Sequence, residues 1–200
     1  MKKVIVSLLM GLGIVCFAAK AYSREFKEHT SKEFVLSNEG RGGTVAIYNV
    51  SGFIKVEGYT GNKVLLEMDK TISADDDKGL ERGRNEFRLG FDQKSDSIIA
   101  YIAGPFDSRP DKNSHYHNDG GDPGYGFKVD YTVKVPYDVN LCVSTVNDGD
   151  ISVNKVNGSL HVNNVNEKIS ITNAKGPTYA HTVNGDVSVS YLTNPPEASS

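Results

Sequence analysis

The chain has 200 residues, with 22 Lys and Arg against 25 Asp and Glu and a net charge of −3. That acidic balance argues against a nucleic-acid partner, whose phosphates call for a basic footprint. Its two cysteines are Cys16 and Cys142, and the first falls in a leader, so no internal disulfide is expected in the rest.

Met1-Lys2-Lys3 is basic, residues 4–18 form an apolar run, and Ala19-Lys20-Ala21 supplies the small residues of a cleavage site. Residues 1–21 therefore read as an export signal removed after Ala21. The run is short for a membrane span of about 20 residues, so the mature chain is expected to carry no transmembrane segment. Val15 precedes Cys16 where a lipid-attachment site wants a small residue. Loss of Lys2, Lys3 and Lys20 leaves 19 basic against 25 acidic side chains, a net charge of −6. The expected destination is the periplasm, the outer cell surface or the medium.

Residues 22–42 form an N-terminal lead-in. From residue 43 the pattern alternates with period two, the mark of a strand with one buried face. Val45 and Ile47 lie nine residues before Ile54 and Val56, and Val64, Leu66 and Met68 continue the alternation. Residues 75–84 are densely charged and read as a short helix or a loop. Residues 87–91, 97–102 and 127–135 read as strands, the last ending at Pro136, which cannot donate to a ladder.

Between two of these lies a loop of residues 104–126 with five glycines and three prolines. It holds Asp107, Asp111, His115, His117, Asp119 and Asp122. His115 and His117 would share one side of an extended segment with Asp119 nearby, which makes these three candidate metal ligands. No zinc-motif spacing accompanies them, and a solvated excursion is the competing reading.

Beyond the loop a nine-residue repeat dominates. Its anchors are Ile151, Leu160, Ile169, Thr178 and Val187, each unit preceded by Val-Asn or a close variant. The first unit alone carries an extra residue, at Asp148-Gly149. Alternate units match best: Ile151, Ile169 and Val187 fall in line, as do Leu160 with Thr178 and His161 with Tyr179. Asp150, Lys168 and Asp186 form a column of alternating sign. Asn-Gly is read as the source of positive φ angles in tight turns. A fixed short period indicates stacked units, so the expected fold is all-β, a β-solenoid of short strands over residues 43–191. Hairpins through the Asn-Gly turns remain the alternative. Cys142, in an apolar run after Leu141, reads as a small buried hydrophobe.

No serine-hydrolase elbow, His-Glu-x-x-His or phosphate-binding loop is present, so no catalytic residue and no cofactor are expected. The Thr-Val-Asn-Asp-Gly-Asp-Ile units, preceded by Tyr131-Thr132-Val133-Lys134-Val135-Pro136, resemble a family of secreted bacterial β-solenoid proteins called putative adhesins. The resemblance covers roughly residues 33–195. It implies an exported, non-enzymatic envelope protein whose repetitive surface binds a carbohydrate or a protein. A carbohydrate-active enzyme of the polysaccharide lyase or hydrolase kind, or a purely structural envelope component, are the alternatives. Residues 192–200 form a C-terminal tail where family members would carry further units, which suggests a truncated form and an open edge prone to self-association.

Overall fold

The computed structural model describes residues 24–110 and 124–192. The first seven strands are β1 (Arg24–Val35), β2 (Thr44–Tyr48), β3 (Ile54–Tyr59), β4 (Lys63–Ala74), β5 (Arg88–Gln93), β6 (Ser97–Gly104) and β7 (Gly126–Pro136). They are followed by β8 (Asn140–Thr145), β9 (Ile151–Asn154), β10 (Leu160–Asn164), β11 (Ile169–Ala174), β12 (Thr178–Thr182) and β13 (Val187–Tyr191). The charged residues after β4 form a helix, α1 (Asp77–Glu86), capped by Asp76, whose carboxylate accepts from the Gly79 N–H at 2.7 Å.

These strands make two sheets. One runs β1-β4-β7-β3-β9-β11-β13 and the other β12-β10-β8-β2-β6-β5. Successive strands of the repeat alternate between them. Within each sheet the repeat strands pair in parallel: Ile151 beside Ile169 beside Val187 in one, Leu141 beside Leu160 beside Thr178 in the other. The matching of alternate units read from the sequence is thus the observed strand register. The extra residue of the first unit is absorbed at Asp148, whose φ is 57° and whose carboxylate accepts a 3.0 Å hydrogen bond from Ser51 Oγ. Asp is among the few residues that adopt this left-handed conformation readily.

The expectation of a single β-solenoid stack is corrected by the rest of the molecule. β1 with β4, β4 with β7, and β5 with β6 pair antiparallel. The result is two mixed sheets and one helix in a β-sandwich-like arrangement. The order in space also departs from the order in sequence, because β2 and β3 sit between β6 and β8 and between β7 and β9. Periodicity could not reveal this: alternation reports which face of a strand is buried and is blind to the direction of its neighbour.

The role of the repeat glycines also differs from expectation. Gly149, Gly158, Gly176 and Gly185 are not among the positive-φ residues. They are needed because turn backbones lie directly on one another. A Cβ on Gly158 would stand 2.1 Å from the Val139 carbonyl oxygen, and one on Gly185 2.2 Å from that of Glu167. Asparagines of alternate units form a side-chain ladder instead of shaping φ: Asn166 donates to Asn147 at 2.6 Å and Asn184 to Asn166 at 2.8 Å.

The two inner faces enclose one apolar core in which Ile47, Ile54, Met68, Ile98, Ile151, Ile169 and Ile171 are fully buried. Each such side chain contributes about 1.5–3 kcal/mol of burial. Tyr131 is buried among them with no partner for its hydroxyl, and this burial pushes its pKa well above the usual phenol value.

Ile169→Ala should cost about 2–5 kcal/mol, whereas Ser170→Ala, on the outward side, should stay within about 0.5 kcal/mol. Urea denaturation of the two variants checks the facing. Tyr131→Phe removes an unpaired buried hydroxyl and should be neutral or stabilising by about 1 kcal/mol. A loss larger than that in the same assay would reveal a partner for the hydroxyl.

Candidate functional site

Alternation that buries Leu141 and Val143 turns Cys142 outward, and it does the same to its neighbours in the second sheet. Register places Ile99, Ala46, Cys142, His161 and Tyr179 in one row across that outer face, with Tyr101, Tyr48, Ser144, Asn163 and His181 beside it. Cys142 is half-buried rather than part of the core, with Sγ 3.6 Å from the Tyr48 hydroxyl. His161 and Tyr179 stack with centroids 4.6 Å apart and planes 14° from parallel. Directly opposed side chains on adjacent strands come within contact range, so the stack follows from the register.

Beside these rings runs an open groove of about 410 Å³, lined by Thr44, Asn140, Cys142, Ser159, His161 and Tyr179 among others. The lining contains no carboxylate and no Lys or Arg. Asn140 is already engaged: its Oδ1 accepts from the Ser159 N–H at 3.0 Å and its Nδ2 donates to the Gly42 carbonyl at 3.3 Å. The groove therefore offers ring surfaces, a thiol and hydroxyls on a preorganised rim.

The far end of this face is covered by the start of the long loop. Arg109 lies over the Tyr101 ring at 3.9 Å and is held by Asp107 and Asp92. Ser108 Oγ accepts from the Ile102 N–H at 2.9 Å and donates to the Tyr48 carbonyl at 2.7 Å. At its other end Tyr125 is buried, with its hydroxyl donating to Glu86 at 3.0 Å. Both ends of residues 104–126 are thus tied down, contrary to a wholly solvated excursion. The candidate metal ligands His115, His117 and Asp119 lie outside the described residues. Among the described residues no cluster of metal-ligating side chains occurs.

The Asp150, Lys168 and Asp186 column comes together in register but not as a charge ladder. The Asp150 carboxylate accepts from the Lys168 backbone N–H at 3.1 Å, and no ion pair among the described residues joins the three.

A titratable cluster that the sequence did not single out lies on the first sheet. His29 on β1 sets Nδ1 2.7 Å from the Asp69 carboxylate and Nε2 2.9 Å from that of Glu67, both on β4. Ser31 Oγ stands 3.4 Å from Nε2 and donates to Glu67. The outline is that of a nucleophile, a base and an orienting acid, but the electrostatics oppose that chemistry. The hydrogen bond to Asp69, followed by that to Glu67, raises the His29 pKa above its ordinary value. Both ring nitrogens are already taken up by carboxylates, so neither is free to take the Ser31 proton, and Ser31 itself donates to Glu67. The cluster instead fastens the edge strand β1 to β4. Its only sequence signal was Glu67 and Asp69 two apart, hence on one face of a strand; their partner is remote in the chain.

No family model matches the chain. No curated protein matches it either. Among solved structures, a "putative cell adhesion protein" from Clostridium sporogenes is 6% identical at a TM-score of 0.38, over 82% of this chain and 100% of that one. A "putative adhesin" from Parabacteroides merdae is 11% identical at 0.24, over 83% and 97%. A "putative lipid binding protein" from Parabacteroides distasonis is 13% identical at 0.24, over 80% of this chain but 59% of that one. Likenesses this distant decide nothing about function. Among the described residues no helix is long and apolar enough to cross a membrane.

Because the folded pKa of His29 lies above 6.5, its contribution to stability is fully present below about pH 6.5 while the carboxylates stay ionised. It is lost as pH rises through the folded value. Thermal melts of the parent protein should therefore fall relative to His29→Gln across that rise. Parallel pH profiles for the two proteins would remove the charged pin.

Proposed function

We propose that the chain is an exported, non-enzymatic binding protein of the bacterial envelope, adhesin-like in role, with residues 1–21 as its removed signal. Its ligand-binding surface is the outer face of the second sheet. The observation that carries this reading is the stacked His161–Tyr179 pair beside an uncharged, hydroxyl-rimmed groove. Ring faces and edges bind apolar patches of a ligand while hydroxyls orient its polar groups, the usual division of labour in a recognition site. An uncharged carbohydrate or a neutral stretch of protein suits this lining; a polyanion does not.

A catalytic reading asks for more than the groove supplies. Glycoside hydrolysis needs two carboxyl groups flanking the scissile bond, and the lining carries neither. The charged cluster at His29 belongs to the other sheet and is committed to its own salt bridges.

Titration of the purified protein against a panel of neutral polysaccharides, with product analysis alongside, tests the reading. Saturable binding without product release is expected. Tyr179→Ala should weaken that binding by about tenfold or more, a loss of ~1.4 kcal/mol, with the far-UV circular dichroism unchanged. Release of shortened sugars would show an enzyme, and full binding by Tyr179→Ala would move the site elsewhere.

A further inference from the structure

The two ends of the sandwich differ. At one end β1 and β5 are the terminal strands of the two sheets, and α1 packs against β4 and β1. At the other, β12 and β13 are the last strands of their sheets, and among the described residues each leaves a row of backbone N–H and C=O groups without a strand partner. Register puts Val187 and Val189 on the same side as the fully buried Ile169 and Ile171, yet they remain 45% and 37% exposed. Tyr191 and Val183 are also exposed, at 53% and 64%. The core is open at this end, and residues 187–191 carry no charge and no proline.

We infer that this end is a self-association surface whose partner is a second copy of the chain, joined about a two-fold axis perpendicular to both sheets. Such an axis reverses strand direction and stacking direction together, so β13 meets β13 and β12 meets β12, each antiparallel. Centred on Val189 and Ala180, the pairing sets Val187 opposite Tyr191 and Val189 opposite itself on the inner side of one sheet. In the other it sets Thr178 opposite Thr182 and Ala180 opposite itself. On the outer faces Ser188 meets Ser190 and Tyr179 meets His181.

Within residues 187–191 and 178–182 every opposed pair is apolar with apolar, hydroxyl with hydroxyl, or ring with ring. Like charges directly opposed would be destabilising, and none occur. Asp186 falls opposite Leu192. An isologous interface of this kind uses the same patch twice and closes on itself, which removes both open edges in one step. The pairing would also run the His161–Tyr179 groove of each copy into that of the other.

Sedimentation of the processed chain, residues 22–200, over a wide concentration range, with no ligand present, tests this apart from the binding reading. A reversible dimer as the end point is expected. Val189→Lys sets two ammonium groups together on the axis and should weaken the dimer by about tenfold or more, with circular dichroism showing that the already exposed position tolerates the change. In a Cys142→Ser background, Val189→Cys should form a disulfide-linked dimer under mild oxidation, whereas Ser31→Cys at the opposite end should not. This second arm holds if Val189→Lys fails to fold. A monomer at every concentration, growth past the dimer into open-ended polymers, or equal cross-linking at both positions overturns the inference.

Discussion

The parallel register is the constraint on which everything else rests. From β10 onward each repeat strand hydrogen-bonds to the strand two before it, and β8 and β9 pair in parallel with β2 and β3, so inward side chains stack on one another: Ile54 beside Ile151 beside Ile169. A shift of one residue would turn the whole inner set outward. The turns are constrained in the same way. Their backbones must close the circuit at a fixed length while lying in contact, and a glycine is placed where a Cβ would strike the neighbouring carbonyl. Where one residue too many is present, the surplus is taken up at a single left-handed Asp148 rather than passed along the strands.

The stack does not support itself at its first end, and the antiparallel strands explain how that end is finished. β4 lies against β7 over nine register pairs, from Leu65 with Lys134 to Ser73 with Gly126, and β1 then covers β4. β1 is mostly exposed and charged, a composition that discourages further edge pairing. His29, Glu67 and Asp69, together with Lys63–Glu33 and Lys70–Glu28, tie the same two strands. Exposed ion pairs are individually weak, so they align the edge more than they stabilise the fold. The opposite end has no comparable finish among the described residues, and its inner valines stay in view of solvent.

Sheet alternation also produced two unlike outer faces. On the first sheet the outward rows around β1 and β4 carry carboxylates, lysines and His29. On the second they carry rings, a thiol, hydroxyls and amides. Arg109, Asp107 and Asp92 are the exception, and they neutralise one another over Tyr101. A ligand recognised by hydrogen bonds and ring contacts therefore finds an uncharged field only on the second sheet, which is where the groove lies.

Sequence alone determined the strands of the repeat, their facing and the matching of alternate units, because period-two burial and an 18-residue recurrence are local properties that side-chain patterning records. Ile151, Ile169 and Leu160 were placed correctly on that basis. It also pointed to His161 beside Tyr179. What it could not determine was the company each strand keeps. The direction of β4 and β5, the insertion of β2 and β3 between later strands, and the carboxylates around His29 all join residues that are far apart in the chain. Patterning contains no term for the direction of a neighbour, so an array that reads as one uniform stack became two mixed sheets. At the scale of one residue, an apolar neighbourhood suggested burial of Cys142; the alternation of β8 turns its thiol outward, and the pairing of β8 between β2 and β10 sets it beside Tyr48 and the groove.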